Sequence, residues 1–339
     1  MPLDDRVGRR IKLRGLHILQ ETVASGSMAR AARTLGMTQP AVSYAITEME
    51  QALGVILLHR SPQGVSPTAF GDSLLQRSVV IFNELRQGIR DIAFLADPSA
   101  GEIRIGATPP MSAVAGMAIN RLIRRYPKLT FDLVVESTQV LMRELHRRGI
   151  ELAISRMAEP VAPEGTTAEI LFYDRLVVIA AKGSRWTRRK RLDLRGVAAG
   201  PWALPSADGF LGAMIRAAFE ARGLAMPAAA VTTGSTYTLA SLAAQGLFLT
   251  IHPETMLRVP TRHPLLVALP IELSQAIHPI GLVQLRDRAP SPMATMFAQE
   301  VRTVVKAAGL GRKAAEPVRA GADWAAAGSC RSDRAERRG

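Results

Sequence analysis

Between Ser27 and Gly71 the chain packs helix starts, turn residues and apolar stripes so closely that few folds can accept it. Ser27 is placed to cap a helix on which Met28, Ala31, Ala32 and Leu35 recur at helical spacing. Gly36-Met37-Thr38 is the short glycine-containing turn that a helix–turn–helix needs. Thr38 caps a second helix, and Pro40 falls in its first turn, where a missing N–H costs nothing. On that helix Val42, Ala45, Ile46, Met49 and Leu53 share one face. Pro40, Tyr44, Thr47 and Gln51 take the opposite side, with Ser43 beside them and Gln39 at the leading end. Small and polar side chains there suit a major groove, where Gln bonds adenine edges and Ser or Thr either base. The alternative for these residues alone is an ordinary amphipathic helix pair with a solvated face.

The next residues narrow the choice. Leu53-Gly54-Val55 leads into Ile56 to Arg60, then Ser61-Pro62-Gln63-Gly64-Val65-Ser66-Pro67, a two-stranded wing with a Pro/Gly tip. Thr68 then caps a long helix that begins Ala69-Phe70-Gly71. With Gly26-Ser27-Met28-Ala29-Arg30-Ala31-Ala32, Thr38-Gln39-Pro40-Ala41-Val42-Ser43, Leu53-Gly54-Val55 and Thr68-Ala69-Phe70-Gly71 at these spacings, the chain resembles the LysR-type transcriptional regulators over roughly residues 12–310. The resemblance implies a winged helix–turn–helix at 12–68 whose second helix enters the major groove of double-stranded promoter DNA while the wing tracks the adjacent backbone. By position, Gln39, Pro40, Ser43 and Tyr44 would face bases or phosphates, with Thr38 and Thr47 alongside. Arg60 would anchor the wing region. Many members carry a basic residue at Tyr44 and a Leu at Pro67. Tyr44 bonds a phosphate without releasing counterions, so backbone attraction falls to Arg30, Arg33 and the cluster Arg9, Arg10, Lys12 and Arg14.

From Ala69 to Leu95 a proline-free helix carries Leu74, Ile81, Leu85, Ile92 and Leu95 on a 3.5-residue seam. Leu75, Val79, Phe82 and Ile89 widen it, and Ser78 and Gly88 are its weak points. Such a helix at 69–97 needs a partner. The candidates are a second copy of itself and its own DNA-binding domain. The resemblance implies antiparallel pairing between subunits, hence a homodimer or homotetramer, which also supplies paired half-site spacing.

From Glu102 to about Leu310, short β-branched runs alternate with amphipathic stretches in two similar βαβαβ halves. The expected strands are Ile103–Ala107, Phe131–Glu136, Leu152–Ser155, Trp202–Leu204, Ala229–Thr232 and Leu247–Ile251. Ile170–Phe172 and Leu176–Ala181 are two crossing strands, and strand His278–Gln284 and helix Pro292–Ala308 return to the first half. The fold class is therefore multidomain: an all-α winged helix–turn–helix with a long linker helix, then an α/β two-lobed domain at 102–310, which the resemblance implies is a periplasmic-binding-protein-like effector domain. Lobe I takes 102–157 and 265–310, and lobe II takes 158–264. Residues 311–339 form a disordered basic tail. Open α/β sheets bind ligands beyond their strands' carboxyl ends, where helix N-termini offer free N–H groups. Hydroxyls gather at those ends: Thr108, Ser112 and Thr138 in one half, Ser206 and Thr236 in the other, with Asp208 beside Ser206. With Arg156 at the hinge as countercharge, the set suits a small anionic effector, and the resemblance places it between the lobes.

Charge alone misleads. Of the net +14, residues 1–97 contribute only +2, residues 98–310 contribute +9 and the tail +3. The single Cys330 forbids an intrachain disulfide or a cysteine-rich zinc site. Met1 to Arg14 lacks the apolar core of a signal peptide, and no run of about 18 apolar residues spans a bilayer, so a cytoplasmic chain is expected without membrane contact. None of the sequence signatures of nucleotide-binding loops, zinc hydrolases or serine hydrolases occurs, so no enzyme and no cofactor beyond an effector is expected. The rival class is a solute-binding protein, which the last two thirds alone would fit. The Ser27–Thr68 pattern argues for a regulator instead, with RNA polymerase as a further partner.

Overall fold

The computed structural model describes residues 11–157, 162–189, 192–259, 263–273 and 277–310. The expected tail at 311–339, Arg9, Arg10, Lys190, Arg191 and Cys330 lie outside them.

Three helices come first: α1 (Leu13–Ser25), α2 (Met28–Thr34) and α3 (Gln39–Leu53). Gly26 ends α1 in the left-handed region at φ 64°, which a residue without Cβ adopts at little cost. The Ser27 Oγ accepts from Arg30 N at 3.5 Å, and the Thr38 Oγ1 from Ala41 N at 3.4 Å, as their capping positions require. Leu16, Leu19, Met28, Ala32, Val42, Ile46 and Met49 close into one core with Leu57 and Leu58. Each fully buried Leu or Ile there stabilises the fold by about 1.5–3 kcal/mol. Strands β1 (Leu58–Ser61) and β2 (Gly64–Pro67) pair antiparallel, with Leu58 opposite Pro67 and Ser61 opposite Gly64.

Helix α4 runs from Ala69 to Ala96, capped by Thr68, whose Oγ1 accepts from Gly71 N and donates to Ile56 O. Its first half packs Leu74, Leu75 and Phe82 on the helix–turn–helix core. Ser78, read from sequence as a weak point of the seam, is fully buried and accepts from Gln20 Nε2 at 2.8 Å, so it fastens α4 to α1. Val79, Ile81, Leu85, Ile89, Ile92 and Leu95 stay exposed as an apolar stripe.

Beyond α4 follow β3 (Ala100–Ala107), α5 (Ser112–Arg125), β4 (Lys128–Val135), α6 (Thr138–His146), β5 (Leu152–Arg156) and β6 (Thr166–Ala181). Next come α7 (Leu194–Ala198), β7 (Trp202–Leu204), α8 (Phe210–Glu220), β8 (Ala229–Thr232), α9 (Thr236–Ala244), β9 (Thr250–Pro253) and α10 (Thr255–Arg258). The series ends with β10 (Leu266–Ala268), β11 (Ile277–Leu285) and α11 (Pro292–Ala307). Among the described residues the chain divides into two units, one of residues 11–155, 162–169 and 282–301 and one of 156–157, 170–281 and 302–310.

In the first unit β3 pairs parallel with both β4 and β5, as right-handed βαβ crossovers demand. In the second, β7 pairs parallel with β8, and Leu249 bridges Trp202 in parallel. Three expectations shift. The two crossing strands are one 16-residue strand, β6, because Asp174 in the polar middle is buried and accepts from Thr255 N at 3.3 Å. The strand expected at Leu247–Ile251 runs from Thr250 to Pro253 and turns antiparallel to β6. Residues 265–281, expected in lobe I, belong to the second unit because β10 pairs antiparallel with β6. Trp202, Phe219, Ile215, Val178 and Ile251 form that unit's core.

Candidate functional site

Helix α3 presents its polar face outward. Thr38, Gln39, Pro40 and Tyr44 are exposed, Tyr44 at 72%, and Arg30 and Arg33 on α2 are exposed as well. Ser43 and Thr47 are half-buried because the wing reaches them. The Arg60 guanidinium donates from Nη1 to Ser43 Oγ at 3.1 Å and from Nη2 to Thr47 Oγ1 at 3.3 Å. It also pairs with Glu50 Oε2 at 3.4 Å. Arg60 thus clasps α3 from the wing. Both hydroxyls keep their own O–H to donate outward.

Glu50 is the residue that sequence reasoning missed. Its Oε1 accepts from Leu57 N at 2.8 Å and Leu58 N at 3.3 Å, tying the start of the wing to α3. Ser43, Thr47 and Glu50 stand at i, i+4 and i+7, one face of a helix, and that spacing was the available signal. The second strand is held separately, by Val65 N donating to Gly26 O at 3.0 Å. Gly64 makes that approach feasible, since a Cβ there would meet the Gly26 carbonyl at 2.6 Å. Wing and recognition helix therefore form one rigid edge.

The strand-end candidates form a group within each unit. In the first, Thr108 is buried, donating its N–H to Ile154 O at 3.0 Å, and the Thr138 Oγ1 lies 2.9 Å from Ser155 Oγ. The Ser112 Oγ donates to Pro109 O at 2.7 Å, within its own turn. In the second, the Arg156 guanidinium carbon sits 3.6 Å from the centroid of the Phe210 ring, immediately after the loop carrying Ser206 and Asp208. Burial draws the Arg156 pKa down to about 10. Beside it His278 is buried, its pKa lowered to about 3 by burial and by the Arg156 charge. Gly212 lets the Ser206–Ala207 backbone lie on the first turn of α8, where a Cβ would collide with the Ser206 carbonyl. Thr236 opens α9, and Thr233 N donates to Leu204 O at 3.2 Å, bringing its loop to the end of β7. Phe210 and His278 were not among the sequence candidates, since neither lies in a hydroxyl-rich strand-end loop.

A helix–turn–helix with its polar face beside a two-stranded wing, joined by a long helix to an α/β ligand-binding fold, makes a DNA-binding regulator with a sensory module. Residues 13–72 match the model of the bacterial regulatory helix-turn-helix protein, lysR family, and residues 96–306 match the LysR substrate binding domain. The chain belongs to the LysR family of transcriptional regulators. It is 25% identical over 298 residues to the HTH-type transcriptional regulator PcaQ of Agrobacterium fabrum, covering 87% of this chain and 96% of that one. It is 27% identical over 247 residues to TdcA of Escherichia coli, covering 72% and 78% of the two chains. In fold it is similar to full-length CbnR complexed with its target DNA, at TM-score 0.65 and 20% identity over 87% of this chain and all of that one. Full-length OxyR from Pseudomonas aeruginosa matches at TM-score 0.59 and 18% identity over 86% and 95%. Among the described residues no helix is long and apolar enough to cross a membrane.

Proposed function

We propose that this regulator binds promoter DNA through α3 and its wing, and senses a small anionic metabolite at the strand-end loops of its effector domain. Gln39, Ser43, Tyr44 and Thr47 read the site, with Thr38 and Pro40 setting the helix entry. Arg30 and Arg33 hold phosphates, and Arg60 fixes the wing against the reading face. The exposed stripe from Val79 to Leu95 on α4 supports self-association into the dimer or tetramer that a two-fold DNA site calls for.

The observation that carries the effector reading is the Arg156 guanidinium on Phe210 beside the Ser206–Asp208 loop. Its pKa of about 10, lowered by burial, leaves it a cation at neutral pH, able to meet an anion at this loop. Thr236 and Ser206 add hydroxyl donors, while Thr108, Ser112 and Thr138 are the corresponding groups of the first unit. Effector binding shifts the assembly only through its differential affinity for two arrangements, which then alters half-site spacing, DNA bend and polymerase recruitment.

A thermal-shift screen of small carboxylates against neutral analogues, with the full chain and its Arg156→Gln variant, tests this. A ligand at a hundred times its Kd stabilises by about 2.7 kcal/mol, enough to read as a clear shift. Carboxylates are expected to stabilise the parent and not the variant. Stabilisation by neutral compounds alone contradicts the proposal.

A further inference from the structure

Most of the chain's basic excess lies outside the DNA-binding domain, and much of it is concentrated in one short stretch. Residues 182–195 hold Lys182, Arg185, Arg188, Arg189, Lys190, Arg191 and Arg195 against a single acid, Asp193. Asp193 is already engaged, accepting from Gly196 N at 2.7 Å to cap α7. Several basic residues outside this stretch do pair with acids: Arg104 with Asp132, Arg121 with Glu300, Arg148 and Arg288 with Glu84, Arg175 with Glu254. Lys182, Arg185, Arg188, Arg189 and Arg195 are all exposed, and none of them pairs with a carboxylate among the described residues.

Two of these guanidiniums are held in place. Trp186 is 3% exposed and belongs to the second unit's core, where its ring lies against Gly200. Arg185 sits 4.5 Å and Arg189 5.1 Å from the centroid of that ring. Arg189 Nη1 also donates to Gly196 O at 3.4 Å. Both charges therefore stand within about 10 Å of each other on a fixed aromatic base, with no acid between them to neutralise either. Arginine lowers the ordering cost of binding when its planar fork is already oriented.

We infer that this face of the effector domain is a second DNA-backbone surface, which takes duplex phosphates outside the segment held by α3 and its wing. A polyanion fits better than a single acidic side chain because five exposed cations within this stretch face a single acid that is already engaged. Backbone contacts of this kind carry no sequence preference and register as counterion release.

The test is fluorescence anisotropy of the full chain on a 60-base-pair duplex of mixed sequence, from 50 to 200 mM salt. Arg185, Arg188 and Arg189 are changed together to Gln, which removes the three charges and keeps polar side chains. Losing three phosphate contacts lowers the slope of log Kobs against log salt by about 2.7, so the parent's affinity falls roughly 40-fold more than the variant's across that range. A triple Lys variant keeps the slope, and unchanged melting curves show that both variants fold. A Gln variant whose slope stays within half a unit of the parent's overturns the inference. If that variant instead loses binding to purified RNA polymerase, the surface docks a protein and the DNA assignment is wrong.

Discussion

Glu50→Ala should loosen the wing without unfolding the helix–turn–helix. The carboxylate is only 14% exposed and makes a 2.8 Å bond to Leu57 N, a longer one of 3.3 Å to Leu58 N, and a contact with Arg60. A charge-assisted bond to a half-buried amide contributes about 1.5–3 kcal/mol, and the longer one falls at or below the bottom of that range. The Arg60 pair is 43% exposed on the arginine side, so solvent screening holds it to roughly 0–1 kcal/mol. The sum is about 3 kcal/mol, and it falls on local opening of the wing because Val42, Ile46 and Met49 keep their packing. Amide hydrogen exchange followed by NMR measures it directly. Leu57 and Leu58 should lose roughly 100-fold protection, while the amides of Val42 and Ile46 serve as internal reference. Glu50→Gln, which keeps a neutral acceptor, should lose only about fivefold, or roughly 1 kcal/mol. Protection at Leu57 within threefold of the parent would refute the reasoning, and an equal loss across α3 would show that Glu50 supports the whole domain.

Two further outcomes are expected. Ile89→Glu with Ile92→Glu places charge on the exposed stripe of α4, at residues 60% and 69% exposed, and should shift the full chain to monomer in light-scattering chromatography; an unchanged mass contradicts α4 as the self-association face. Asp174 has its pKa raised to about 6 by burial, so its stabilising contribution is complete below the unfolded value of 3.8 and is lost as pH rises through 6. Asp174→Asn should therefore raise the urea midpoint at pH 7.5 and bring little gain at pH 3.5, below the unfolded value. An equal effect at both values contradicts burial of the charge as its cause.

Local instructions were legible and tertiary ones were not. Ser27, Thr38 and Thr68 announce helix starts because a side-chain cap acts within three residues of itself, and each is found capping. Gly71 matched a family motif, and the structure supplies its reason: a Cβ there would strike the Leu57 carbonyl. The part played by Ser78 was hidden because Gln20, 58 residues away, makes it a fastening point within an apolar seam. Tyr173-Asp174-Arg175 looks like a turn in sequence, which splits β6 into two expected strands, and it is the Thr255 and Arg175 amides that make burial of Asp174 tolerable. At the candidate sites, residue types on α3 could be read from helical period, but the Arg60 clasp and the Arg156–Phe210 stack depend on partners brought from other strands and loops.

The central claim is that α3 reads DNA and that this reading is separable from effector sensing. Footprinting of the full chain and of its Gln39→Ala, Ser43→Ala double variant on the DNA flanking its own gene tests it most directly. The parent should protect a two-fold site there. The double variant should lose that protection, keep non-specific binding and still respond to the stabilising carboxylate in thermal shift. No protected site with or without ligand, or a double variant that protects as well as the parent, contradicts the account.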